Sequence, residues 1–178
     1  MAYDPDDQVD AIALAWLRER PGTSVESIGI VTRIWHAAKL FGDDRTRLLR
    51  SNDADAATLD LLSTLRRSGD PYTLTTRELA AAGMVTAGAI SQRVDRAEKQ
   101  GLVRRTPRGP GSRAVDVTLT AAGHATVERL VDAVLGRELE LLESLDSEER
   151  ETLARLLSKL LVGLQDELGT QRIGQVGD

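Results

Sequence analysis

The chain has 178 residues, of which 41% are hydrophobic and 29% charged, with a formal net charge of −5 and no cysteine. That length holds one sizeable core, or a small lobe plus long helices that join a partner, and the lack of cysteine excludes disulfides, thiolate nucleophiles and Cys-based zinc sites. Aromatic residues make up only 3%, so the core is built from Leu, Val and Ala, which favours packed helices; the acidic start MAYDPDDQVD and the lack of any run of membrane-spanning length point to a cytoplasmic protein with no membrane association.

In chain order, Asp7 to Arg20 carries Val9, Ile12, Ala13, Trp16 and Leu17 at helical spacing and is stopped by Pro21-Gly22. A second helix is expected from about Ser27 to Leu49 through Ile30, Val31, Ile34, Ala38 and Phe41, weakened in its middle by Gly42-Asp43-Asp44. A third runs from Ala54 to Arg67 on Leu59, Leu62 and Leu65, and Gly69-Asp70-Pro71 closes it. Thr75 and Glu78 have the spacing of a capping box, which starts a short helix through Leu79 and Ala82. After a turn at Gly83-Met84-Val85, Thr86 caps a further helix with the buried stripe Ile90, Val94 and Ala97, ended by Gly101 as a left-handed cap.

Two β-prone runs follow, Leu102 to Thr106 and Ala114 to Leu119, around the turn-rich Pro107-Arg108-Gly109-Pro110-Gly111-Ser112, so a hairpin is expected. Thr120 caps a long helix toward Leu145. A second capping box, Asp146 with Glu149, launches a terminal helix whose Leu153, Leu156, Leu157, Leu160, Leu161 and Leu164 share a face. That stripe is too wide for one small lobe to cover, so a second subunit is expected; the tail after Leu168 reads as a frayed end. The fold class is mainly α with a small β-hairpin wing: a winged helix-turn-helix over residues 51–119, flanked by dimerisation helices in 1–50 and 120–178.

Charge is unevenly spread. Between Thr86 and Arg113, seven cations stand against two carboxylates, a basic island in an acidic chain, suited to phosphates. A helix-turn-helix offers the first turns of its second helix to the major groove, which makes Thr86, Ala87, Gly88, Ser91 and Gln92 the candidate contacts: small residues permit close approach, and an amide reads adenine. Arg96, Arg108 and Arg113 are the candidate cations, the last two for a minor groove or flanking phosphates. Asp60, within an apolar run, needs a cationic partner, and Arg93, on the flank of the buried stripe, is the preferred one. Their pair is either a structural brace or a switch that an anionic ligand opens. Trp16 is ambiguous, since a Trp on an amphipathic helix is usually a packing anchor with its N–H satisfied.

The segment LTTRELAAAGMVTAGAISQRVDRAEKQGLVRR, followed by a wing and LTAAG, resembles the MarR family of bacterial regulators, over nearly the whole chain from Val9 to about Leu164. The resemblance implies a symmetric dimer with intertwined terminal helices and two winged lobes on a palindromic operator in double-stranded DNA. The added N-terminal helix AIALAWLRERP is similar to the urate-responsive, PecS-like subgroup, which implies an anion site at Trp16, Asp60, Arg93 and Arg105 and release of a repressor by a small anion such as urate or a polycarboxylate. The wing departs from the usual Asp-x-Arg-Arg element and keeps only Arg113 of it, after Gly111-Ser112. From another class, the acidic charge and Leu-rich end fit a winged-helix assembly module without duplex specificity. No enzyme is expected, nor any cofactor, metal site or catalytic residue: there are no paired catalytic carboxylates and no phosphate-binding Gly loop, and His36 and His124 read as surface residues.

Overall fold

The computed structural model describes residues 3–83, 85–109 and 114–169, and the chain divides into two compact units, 1–45 and 46–178. In the first, α1 (Gln8–Glu19) begins at Asp7, whose carboxylate accepts from the amides of Val9 and Asp10. Gly22, with φ +86°, turns the chain after it. Arg33 on α2 (Ile28–Ser51) donates to Asp7 at 2.8 Å and to Asp10 at 3.0 Å, tying the two helices over the buried Val9, Ala13 and Val25. The expected weakness at Gly42 is not seen: α2 runs unbroken for 24 residues and crosses the boundary between the units. A glycine in a helix costs only about 1 kcal/mol, too little to break one this long.

The second unit holds α3 (Ala56–Arg67), β1 (Thr73–Thr75), α4 (Thr76–Ala82), α5 (Ala87–Lys99), β2 (Val103–Pro107), β3 (Val115–Leu119), α6 (Ala121–Leu141) and α7 (Ser147–Leu168). Both capping boxes form, Thr75 with Glu78 and Asp146 with Glu149. Asp55 caps α3, which therefore starts two residues later than its apolar pattern. The hairpin is joined by a strand the sequence did not announce: β1 pairs antiparallel with β3, giving a sheet of order β1-β3-β2. Leu61, Leu62, Leu65, Leu79, Ile90, Val94, Ala97, Val103, Val117 and Val127 form one core beneath it, and Leu49, Leu59, Leu130 and Val134 a second between α3 and α6. α7 contributes nothing to either core; none of its residues is buried.

Gly101 has φ +72°, as its capping place requires, and hands the chain to Leu102. There α6 comes close. Thr120, its N-cap, donates from its hydroxyl to the carbonyl of Gly101 at 2.7 Å and from its amide to that of Leu102 at 3.1 Å. A Cβ built on Gly123 would lie 2.0 Å from the Leu102 carbonyl oxygen. His124, expected at the surface, is half-buried on α6, and its ring meets that of Tyr72 edge-on with the centroids 4.5 Å apart. The turn residue Met84, the wing tip 110–113 and the tail 170–178 lie outside the described residues.

Candidate nucleic-acid interface

The helix pair α4 and α5 is set by its caps. Glu78 closes the box on Thr75, and the Thr75 amide and hydroxyl hold the Glu78 carboxyl below its ordinary value. Thr86 accepts from the Ala89 amide and starts α5, whose inner stripe Ile90, Val94 and Ala97 is buried. By helical periodicity the opposite side faces out, and Thr86, Ala87, Gly88, Ser91 and Gln92 are all exposed. Nothing but the Thr86 hydroxyl, at 4.0 Å, comes near a Cβ placed on Gly88, so no packing demand inside the protein explains that glycine. A groove of about 360 Å³ opens beside this face, lined by Thr76, Arg77, Ala87, Ser91, Arg105 and Val115.

The arginines around it are mostly engaged. Arg96 pairs with Asp55 at 2.8 Å. Burial pushes the Asp55 carboxyl up, but hydrogen bonds from Thr58 and the charge of Arg96 outweigh it, and the group stays below the ordinary range. Arg108 lies 3.3 Å from Asp116 of β3, and Arg113 lies outside the described residues. Of the cations on α4, α5 and β2, Arg77, Lys99 and Arg104 carry no ion pair among the described residues and are exposed. Arg77 is the one sequence reasoning passed over: its place on the groove needs the α4–α5 turn, whereas its neighbours in sequence give no sign of it.

The Asp60 and Arg93 side chains meet, Nη1 to Oδ2 at 3.9 Å, and both are largely withdrawn from solvent, at 16% and 18% exposure. The cavity they line with Thr64, Leu79 and Ile90 measures about 10 Å³, room for one water at most. Arg105 does not line it. Residues two apart on a strand share a face, so Arg105 follows buried Val103 toward α5, where it pairs with Asp95 and with Glu98. Its guanidinium lowers the Glu98 carboxyl, and Glu98 in turn raises Arg105. Trp16 belongs to the other unit, half exposed on α1.

Among the described residues no helix is long and apolar enough to cross a membrane, and no cluster of His, Cys, Asp or Glu is placed to hold a metal ion. Comparison with known proteins supplies the family. The sequence model of the MarR family matches residues 54–114. The HTH-type transcriptional regulator PecS of Dickeya dadantii is 29% identical over 153 residues, 86% of this chain and 92% of that protein. The crystal structure of wild-type apo MarR from E. coli is 30% identical, covers 74% of this chain and 96% of its own, and superposes with a TM-score of 0.61. The chain belongs to the MarR family. It is a regulator family rather than one of enzymes, and one similar member, a mutant of E. coli MarR, has been solved with operator DNA: 28% identity, 82% of this chain, 97% of that one, TM-score 0.61. Within this MarR-family lobe, α5 stands as the second helix of the helix-turn-helix and the β2–β3 hairpin as its wing.

Proposed function

We propose that this MarR-family chain is a homodimeric, sequence-specific regulator that binds a palindromic operator in double-stranded DNA and is released from it by a small anion. The observation that carries the reading is the exposed face Thr86, Ala87, Gly88, Ser91 and Gln92 at the start of α5, small and polar, beside a groove rimmed by Arg77 and Arg105. Arg96, Arg108 and Arg113 serve phosphates in this reading, Arg96 and Arg108 exchanging Asp55 and Asp116 for them. Dimerisation draws support from α7, where Leu153, Leu156, Leu157, Leu160, Leu161 and Leu164 are all exposed in the single chain; in proteins most of a helix's stability comes from packing its apolar face. Residues 51–119 then bind DNA, and 1–50 with 120–178 make the pair.

Release draws support from Arg93 and Asp60. A small anion, urate or a polycarboxylate in type, competes with Asp60 for Arg93, and because that pair joins α3 to α5, its opening shifts the recognition helix. Titration of labelled duplexes over a salt series tests the first half: a preferred duplex bound at roughly nanomolar Kd, with affinity falling steeply as salt rises, is expected. Equal affinity for random duplex refutes specificity, and a dimer with no duplex affinity at all transfers the chain to the assembly-module class. For the second half, Arg93→Ala is expected to bind operator without responding to urate or citrate; an unaltered response removes Arg93 from the switch.

A further inference from the structure

The contact between Arg105 and Glu98 is more than an ion pair. Oε2 of Glu98 accepts from Arg105 Nε at 2.7 Å and lies 2.6 Å from Nη2, while Oε1 accepts from the Arg105 backbone amide at 3.0 Å. Asp95, one turn back on the same face of α5, takes the remaining arm of the guanidinium. β2 is the outer strand of the sheet, so its outward amides have no strand to bond to; the one at Arg105 is satisfied by a side chain of the recognition helix. β1 pairs with β3 only as far as Asp116, so past Thr106 the described part of the hairpin has two strands, an arrangement marginal on its own; there Arg108 pairs with Asp116 across them. Two carboxylates of α5 thus hold β2, and of the two it is Glu98 that grips backbone and side chain at once.

We propose that Glu98 is a positioning residue for DNA binding, setting the angle of the wing against α5 so that both reach the duplex as one preformed surface. It touches no DNA itself. The inference rests on the DNA-binding reading above for its consequence, but its geometric half does not. Because the chain has no cysteine, Ala87→Cys and Thr106→Cys place spin labels on α5 and β2 alone, and dilution with unlabelled protein isolates the distance within one subunit. A narrow distribution is expected in the otherwise wild-type protein and a broadened one in Glu98→Ala, whereas equal widths overturn the proposal.

On a bound operator, Glu98→Ala is expected to lose hydroxyl-radical protection of the flanking minor grooves while keeping major-groove methylation protection at saturating protein, with affinity about tenfold lower. Joint loss of both protections by a variant of wild-type helicity overturns it, since that is what general loosening of the lobe produces. The reversed pair Glu98→Arg with Arg105→Glu is expected to recover the flanks in part, and Glu98→Gln, which keeps the amide contact but not the charge, to fall between. Should Glu98→Ala not fold, the Gln variant and the reversed pair carry the same comparison. Broadened distances in a protein that protects no duplex sink the DNA reading and leave the positioning role standing.

Discussion

Gly123→Ala puts a methyl group where the Leu102 carbonyl oxygen is, at 2.0 Å. An oxygen and a methyl carbon need more than 3 Å, and the obstacle is backbone, so the N-terminal turn of α6 has to move by about 1 Å. In an open helix the same change gains about 1 kcal/mol from propensity. Here overpacking costs about 1–3 kcal/mol, and the displaced turn strains the Thr120 hydroxyl bond to Gly101 and the Thr120 amide bond to Leu102, each contributing about 1 kcal/mol. The net expectation is a loss of about 2–4 kcal/mol, roughly 30- to 700-fold in the folding equilibrium. Urea unfolding followed by circular dichroism measures it: the midpoint drops while the slope is kept. Since α6 leads from the winged lobe to α7, duplex affinity should fall in parallel. An unchanged midpoint would show that the close approach of α6 to Leu102 is not as described.

Gly88→Leu meets open space, so unfolding is expected to stay within about 1 kcal/mol of wild type while operator affinity, read by anisotropy, falls at least tenfold. Arg77→Ala should weaken all duplexes alike and reduce the salt slope by about 1, whereas Arg77→Lys keeps most of both. Leu157→Asp with Leu160→Asp, on the exposed face of α7, is expected to halve the mass in sedimentation and abolish operator binding. Acid should unfold the lobe: Glu98 and Glu78 lie below their ordinary 4.5 and Asp55 below 3.8, so the folded state favours their charged forms, and that stabilisation is complete above about pH 5 and drains away as pH falls through the lowered values. A thermal midpoint that rises from pH 5 to pH 3 contradicts these assignments.

What could be read without coordinates was local. The Thr75–Glu78 and Asp146–Glu149 boxes, the Gly101 cap and the buried stripe of α5 each depend on residues within a turn or two of one another. β1 was invisible because Thr73–Thr75 is too short to show alternation and is a strand only through its pairing with β3, more than forty residues on. Asp60 and Arg93 were matched by demand, a carboxylate in an apolar run and a cation on the flank of a stripe, and they do meet. Arg105 was named by resemblance alone, which ranks residue types, whereas the strand register that turns its side chain to Asp95 and Glu98 is a property of the sheet. Gly42 misled in the other direction: a helix breaker on an exposed face of a long helix breaks nothing.

The most direct measurement is selection of bound sequences from a random duplex pool by this 178-residue chain. Two copies of α5 related by a twofold axis should enrich an inverted repeat, its half-sites spaced by one helical turn, roughly 34 Å. A pool that emerges unenriched, or enriched for a single asymmetric site, would contradict the account.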